Sequence, residues 1–383
     1  MTRWVDRQSE FAELLDVLSD QPVVGLDTEF HREKTYHPQL ALMQLVWGSP
    51  DDQEIALVDT TTVDIRDFAR VLESNATIVM HSSVQDLEVL LRACEALPTR
   101  LFDTQIAAGF AGYNGPSLAT LVQGVVGTRL PKGDRLADWL RRPLNDDQRS
   151  YAAADVEHLL PLYRWLLDRL ECDGRVAWAE DECTQLLAKA ACPRDPDEAW
   201  WKVKEARQLR GKAVGVAQAL AAWRERRASE IDQPVRFVLP DLALVGIAQR
   251  PPKAVDDLRR VRGLDDRHLR GATADSIMEV IASGLALPRE QLRLPATGDV
   301  DRELRPAVAL VSAWISQLSR QLQIDTTLLA TRADVEALLR GDESARLTVG
   351  WRADVLGQDI RRLVEGRAAL SFDGKGNLVL EDR

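Results

Sequence analysis

The run VVGLDTEF, residues 23–30, constrains this chain more than any other stretch. It opens with apolar residues and Gly and reads as a buried strand. It ends in two carboxylates, Asp27 and Glu29, one residue apart. On a strand, residues i and i+2 face the same way, so both acids project to one side with Thr28 opposite. Two adjacent carboxylates repel unless a cation sits between them or one is protonated. Taken alone, the pair is equally compatible with a solvated strand end.

The surroundings of that strand set the fold class. Apolar residues at helical spacing (Phe11, Leu14, Leu15, Leu18) predict a helix over 8–19. Strand-length apolar runs follow at 22–27, 40–47, 54–59 and 77–81, separated by turn residues such as Gly48-Ser49-Pro50. Helices are predicted at 64–73, 84–97, 104–111, 117–125 and, as one long helix, about 146–170. Asn145 with Gln148 predicts a capping box at the start of the last, and Asp146 and Asp147 suit its dipole. Strands first and helices after them indicate an α/β domain, a mixed sheet flanked by helices, over 1–172. Prolines and acids in 173–200 predict a connector. Residues 201–290 read as all helix. A third unit, 291–383, opens with a polar break at 293–301, is helical over roughly 302–368 and closes on a hairpin-like end with turn residues Asp373-Gly374 and Lys375-Gly376.

At 383 residues the chain is too long for one ordinary core. It has no apolar run of membrane-spanning length and no apolar signal-like stretch in MTRWVDRQSEF, so no membrane partner and a cytoplasmic location are expected. Cys94, Cys172, Cys183 and Cys192 form no CxxC pair, which argues against a zinc ribbon or redox motif. The net charge of −11 is unevenly spread: residues 1–180 carry −12 and residues 201–290 carry +5. An acidic domain still accepts a polyanion if metal ions neutralise its site, and the basic segment can contact a phosphate backbone.

Two further places hold acids that match the first pair. HSSVQDLEVLLRA (81–93) puts Asp86 just after a strand, in the first turn of a helix. YAAADVEHLL (151–160) puts Tyr151 and Asp155 four apart on one helical face, with only Ala-Ala-Ala between them. Alone, Asp86 suits a helix dipole and the Tyr–Asp pair a core edge.

Together, D-x-E on a strand, a lone Asp after a later strand and Y-x3-D on a helix resemble the DEDD 3′→5′ exonucleases in their tyrosine variant. DTEFHREKTYHPQLALMQLVW, HSSVQDLEVL, LFDTQIAAG and DWLRRPLNDDQRSYAAADVEHLLPLY resemble the ribonuclease D family throughout residues 20–165. ARQLRGKAVGVAQALAAWRERRASEIDQPVRFVLPD resembles the HRDC domain, and 302–368, including LTVGWRADVLGQDIRRLVEG, resembles a second, more divergent copy. One departure stands beside Asp86, where the family often has Glu and this chain has Gln85.

The resemblance implies a ribonuclease-H-like exonuclease domain followed by two all-helical HRDC-like domains. It implies two divalent ions, Mg²⁺ or Mn²⁺, held by Asp27, Glu29, Asp86 and Asp155. Asp27 would bridge both ions, while Glu29 and Asp155 would hold the one that activates water. Asp86 would act through water or from behind, and Tyr151 would orient the attacking water. Hydrolysis would proceed from RNA 3′ ends, with release of nucleoside 5′-monophosphates. Precursor tRNA is the implied substrate and a monomer the implied state.

Phe30 would be a wedge at the terminal bases or plain core. His81 would contact substrate or be a satisfied buried histidine. Trp139 and Arg142 would line the groove, with packing the competing role for Trp139. Asp103 reads as a helix cap rather than a fifth ligand. Lys202, Lys204, Arg207 and Arg210, with Lys212, Arg224, Arg226 and Arg227, would supply backbone contacts or form a solvated helix face. An exonuclease acting on DNA and a non-catalytic binding module are the alternatives; the former differs only in contacts to the 2′-OH, the latter needs a broken acid set.

Overall fold

The computed structural model describes residues 2–49, 52–131, 137–193, 195–266, 268–269, 272–295 and 302–383. Most of the polar break predicted at 293–301 therefore lies outside the described residues. The chain forms two compact units: Met1–Phe30, Leu40–Ala191 and Asp299–Arg383 make one, His31–Gln39 and Cys192–Gly298 the other.

The first unit is built on β1 (Thr2–Val5), β2 (Val23–His31), β3 (Gln39–Ser49), β4 (Asp52–Val58), β5 (Thr77–Met80) and β6 (Arg100–Asp103). They form one sheet in the order β1-β4-β3-β2-β5-β6. The sheet is mixed: β4 pairs β1 in parallel and β3 in antiparallel, and β5 pairs β2 and β6 in parallel. β2, which carries Asp27 and Glu29, is therefore a central strand. Val24 and Leu26 on one of its faces are fully buried. They share a core with Phe11, Leu14, Leu15 and Leu18 of α1 (Gln8–Ser19), at the spacing that predicted this helix.

On the other face, Gly25 is required by close approach. A Cβ there would lie 2.4 Å from Val46 Cγ1 and 3.2 Å from Leu159 Cβ. This close contact sets the strand against Leu159, which opens the helix following the one that carries Tyr151 and Asp155.

The helices that follow are α2 (Ala69–Leu72), α3 (Val84–Cys94), α4 (Thr104–Phe110), α5 (Leu118–Val125), α6 (Asp146–Glu157), α7 (Leu159–Cys172) and α8 (Val176–Ala191). The capping box predicted at Asn145 and Gln148 opens α6. The single long helix expected over 146–170 is instead two, broken at His158. Pro161 has no N–H to offer the carbonyl of Glu157, four residues back. Gln53 Nε2 takes that carbonyl at 2.6 Å.

Two expectations about organisation are corrected. The connector expected at 173–200 contains the 16-residue helix α8, with Ala179, Glu182 and Cys183 buried. Residues beyond 299 do not stand apart from the first domain. Their helices are α14 (Arg305–Leu322), α15 (Thr326–Leu329), α16 (Arg332–Leu339), α17 (Gly350–Arg352) and α18 (Gln358–Val364), the numbers α9–α13 falling to the intervening unit described next. Val308, Trp314, Trp351 and Leu356 share one core with Phe110, Leu162 and Leu166 of α4 and α7. The predicted hairpin is present as antiparallel β7 (Ala368–Phe372) and β8 (Leu378–Asp382).

The second unit contains α9 (Lys212–Glu230), α10 (Val235–Val238), α11 (Asp241–Gln249), α12 (Val255–Leu258) and α13 (Thr273–Ala286). α9 and α13 touch through glycines, where a Cβ on Gly215 would sit 2.4 Å from Gly284 O. The loop 31–39 belongs to this unit: Tyr36 Oη donates to Glu225 Oε2 at 2.7 Å and His37 N to Asp232 Oδ1 at 3.0 Å.

Candidate active site

Asp27 and Glu29 project from β2 toward Asp155 on α6. Each of the three offers an oxygen within 4.8 Å of the others. Alternation on the strand puts Asp27 and Glu29 on one face, and the i, i+4 relation puts Tyr151 and Asp155 on one face of the helix.

Their charges crowd. Burial pushes the Asp27 carboxyl well above the ordinary range, and Asp86, Asp155 and Glu29 push it further. Glu29 is raised to about 8, first by burial and then by Asp155 and Asp86. Asp155 is raised to about 7 by burial, against a hydrogen bond from Tyr151 that opposes it. Burial raises the Tyr151 hydroxyl as well, followed by the charges of Asp155 and Glu29. Tyr151 therefore stays protonated at neutral pH and is a donor, not a base.

Asp86 stands slightly apart. It is 9% exposed, in the first turn of α3, and is not one of the three clustered carboxylates. Thr28 Oγ1 donates to its Oδ1 at 2.5 Å. Burial raises Asp86 to about 6, and the Thr28 bond holds it from rising further. The sequence placed Thr28 opposite the acid pair and assigned it nothing. In the structure it ties the strand to the helix that brings Asp86.

This donor set fits a divalent metal. Hard carboxylate oxygens without nitrogen or sulfur suit Mg²⁺ or Mn²⁺. A buried group of acids whose main neighbouring charges are one another is relieved by a cation and by little else.

The candidate nucleic-acid contacts fare differently. His81 Nδ1 lies 2.9 Å from Thr104 Oγ1, whose own proton goes to Met80 O at 3.0 Å. Burial lowers the ring's pKa, against the charge of Asp103 and a backbone hydrogen bond with Pro116, which raise it. Phe30, next to last in β2, is half-buried.

Trp139 and Arg142 do not line an open groove here. Trp139 is 6% exposed and packs with Leu42, Leu57, Leu144 and Ala152. The Arg142 guanidinium is taken by both oxygens of Asp59, at 2.6 and 2.7 Å, and by the carbonyls of Ala41 and Trp139. The aromatic and basic residue types fit a groove, but Asp59, 83 positions away in sequence, captures the charge.

Lys202, Lys204, Arg207 and Arg210 are exposed and lie in the second unit. The cap expected at Asp103 is present, but its carboxylate does more than cap, holding Ser82 and Ser83 as well.

Comparison with known proteins identifies the family. Residues 2–171 match the family model described as 3′-5′ exonuclease, and residues 214–281 match the HRDC domain. Ribonuclease D of Jannaschia sp. (strain CCS1) is 34% identical, with all of both chains covered. Ribonuclease D of Gluconacetobacter diazotrophicus is 35% identical over 94% of this chain and 92% of its own. The crystal structure of Escherichia coli RNase D, described as an exoribonuclease involved in structured RNA processing, superposes with a TM-score of 0.84 at 30% identity, covering 96% of this chain and 99% of that one. With the acid set assembled and likeness extending over the full length, this chain belongs to the ribonuclease D family of 3′→5′ exoribonucleases.

Proposed function

We propose that this chain trims the 3′ ends of structured RNAs, precursor tRNA among them, and releases nucleoside 5′-monophosphates. The observation that carries the reading is the convergence of Asp27, Glu29 and Asp155 within 4.8 Å, with the Tyr151 hydroxyl hydrogen-bonded to Asp155. Asp27, Glu29 and Asp155 would hold one divalent ion, and Asp27 with Asp86 a second. Bound there, two such ions supply a water of lowered pKa and a counter-charge for the leaving 3′ oxygen. Tyr151, kept protonated, orients the attacking water, and Asp155 fixes the direction of that hydroxyl. Thr28 holds Asp86 in its ionised form facing the site.

The exposed bases Lys202, Lys204, Arg207 and Arg210 suit contacts to an RNA backbone. A second HRDC-like unit in 291–383 is supported by the succession of helices. α9, α10 and α11 span 19, 4 and 9 residues. α14, α15 and α16 span 18, 4 and 8. All the acids belong to one chain, which suits a monomer.

The test is end-labelled RNA and matching DNA, with free or blocked 3′ ends, incubated with Mg²⁺, Mn²⁺ or chelator. Stepwise shortening of free-ended RNA, lost in chelator and in an Asp27→Asn, Asp155→Asn double variant, is the expected result. Equal trimming of DNA would reject the RNA preference, and binding without trimming would reject the catalytic reading.

A further inference from the structure

Asp86 reaches the site from a turn that is itself held in an uncommon shape. Residues 80–83 carry the chain from β5 into α3, and Ser82 among them has φ of 58°, left-handed without being glycine. Such a backbone costs on the order of 1 kcal/mol and persists only where its neighbours over-determine it.

Two adjacent residues, Asp103 at the end of β6 and Thr104 at the start of α4, do so. Asp103, 1% exposed, accepts at Oδ1 from Ser82 N at 3.1 Å and at Oδ2 from Ser83 N and Ser83 Oγ, both at 2.8 Å. Thr104 Oγ1 donates to Met80 O and meets His81 Nδ1. All four residues of the turn are thus bonded to this pair.

Capping α4 requires only one oxygen of Asp103, and Oδ1 does that by accepting from Gln105 N at 2.8 Å and Ile106 N at 3.3 Å. Among the described residues, Oδ2 is bonded only to Ser83. Ser83 stands at the N-cap of α3, yet its hydroxyl accepts no bond from that helix; it donates to Asp103. Five donors converge on one buried carboxylate. An amide in its place would set an NH₂ group against either the turn or the helix.

We propose that Asp103 is a positioning residue for the reaction: by clamping Ser82 and Ser83 it fixes the start of α3 and so the reach of Asp86 toward Asp27 and Glu29. The proposal rests on the reading of Asp86 as a site carboxylate.

The test uses the full chain and Mn²⁺ binding by calorimetry, with single-turnover rates alongside. Asp103→Asn is expected to weaken Mn²⁺ binding and lower kcat by about tenfold or more, with KM for RNA within about twofold of the parent, as second-sphere partners of metal ligands do. Loss of a helix cap alone would lower Tm and move neither quantity. In an Asp86→Asn background, Asp103→Asn should add no further loss of Mn²⁺ affinity, because the two act through one carboxylate. Additive losses, or parent-like Mn²⁺ affinity in Asp103→Asn, would overturn the proposal.

If Asp103→Asn does not fold, Ser83→Ala removes only the hydroxyl bonded to Oδ2. It should weaken Mn²⁺ binding in the same direction by about threefold, the effect of a modest hydrogen bond; no change would overturn the proposal. Asp86→Asn alone separates the two readings. If it binds Mn²⁺ and turns over like the parent, Asp86 is not a site carboxylate and the positioning role falls with it. If Asp86→Asn is impaired and the Asp103 and Ser83 variants are not, only the positioning role fails.

Discussion

Thr28 and Asp86, 58 positions apart, meet across 2.5 Å, the threonine hydroxyl donating to the carboxylate of a residue almost without solvent contact. Thr28 stands between the two acids of β2 on the opposite face, so one strand both presents Asp27 and Glu29 and restrains Asp86. A buried carboxylate that loses a donor holds its proton more tightly.

Thr28→Val keeps the shape and removes that donor. Asp86, already raised to about 6, should rise further. Protons then compete with the metal up to a higher pH. The variant should need about tenfold more Mn²⁺ for half-maximal binding at pH 6, a charge-assisted bond being worth ~1.5–3 kcal/mol, and the deficit should shrink by pH 8. Calorimetric titration at the two pH values checks this. An equal deficit at both would assign the effect to packing.

The metal-free protein should lose stability as pH rises, the reverse of ordinary carboxylate behaviour. The folded carboxyls of Asp86, Asp155 and Glu29 stand at about 6, 7 and 8. Unfolded carboxyls titrate near 4. Between those values the folded state binds more protons than the unfolded one. The stabilising contribution is therefore fully present below pH ~4 and is lost as pH climbs through 6 to 8. A cation that binds the folded state alone restores it. Melting in chelator at pH 5 and pH 8, then with Mg²⁺ added, should show a Mg²⁺-dependent gain in Tm at pH 8 and little at pH 5.

What the sequence disclosed and what it withheld divide along the range of the contacts. Asp27 with Glu29 and Tyr151 with Asp155 are local relations, fixed once strand and helix are assigned, and the structure brings all four together. The Asn145 box and the hairpin beyond Ala368 are local too, and both are present. β1 and β6 went unpredicted because TRWV and RLFD, unlike the equally short TIVM of β5, carry charged residues that interrupt an apolar run. The break at His158 was foreshadowed by Pro161, but the partner that makes it tolerable, Gln53, lies 104 positions from Glu157. The bonds of Thr28 to Asp86, Asp103 to Ser83 and Arg142 to Asp59 likewise exist only once the sheet is assembled.

Helix α8 meets the C-terminal helices through a buried charge. Arg352, 2% exposed, donates from Nη1 to Glu182 Oε1 at 2.5 Å and from Nε to Leu328 O at 2.8 Å. Trp351 Nε1 and Arg346 also donate to Glu182. Removing Glu182 leaves the Arg352 charge buried without an ionic partner, which costs ~3–5 kcal/mol, whereas Glu182 without Arg352 keeps its ion pair with Arg346. Glu182→Gln should therefore lower the denaturation midpoint strongly and Arg352→Met less so. The double variant should recover much of the loss, giving a coupling energy of the sign that marks a direct pair. Urea melts of the four proteins measure it.

The contact of α9 with α13 makes the last prediction. A Cβ on Gly284 would stand 2.7 Å from Val216 Cα and 2.8 Å from Gly215 O, both backbone atoms that cannot rotate away. Gly→Ala in an exposed helix interior stabilises by lowering the entropy of the unfolded chain, by ~0.5–1 kcal/mol. Here the helices must separate to admit the methyl group, and overpacking costs ~1–3 kcal/mol. The steric cost wins, so Gly284→Ala should destabilise the unit that holds it. The acid cluster lies in the other unit, so Mn²⁺ binding should be unchanged. Gly246→Ala in α11 is the control: its Cβ would meet nothing closer than Val261 Cγ1 at 3.7 Å, and it should be neutral or stabilising. Hydrogen exchange of α9 and α13 amides reads the difference; equal protection in both variants would mean the helices yield without cost.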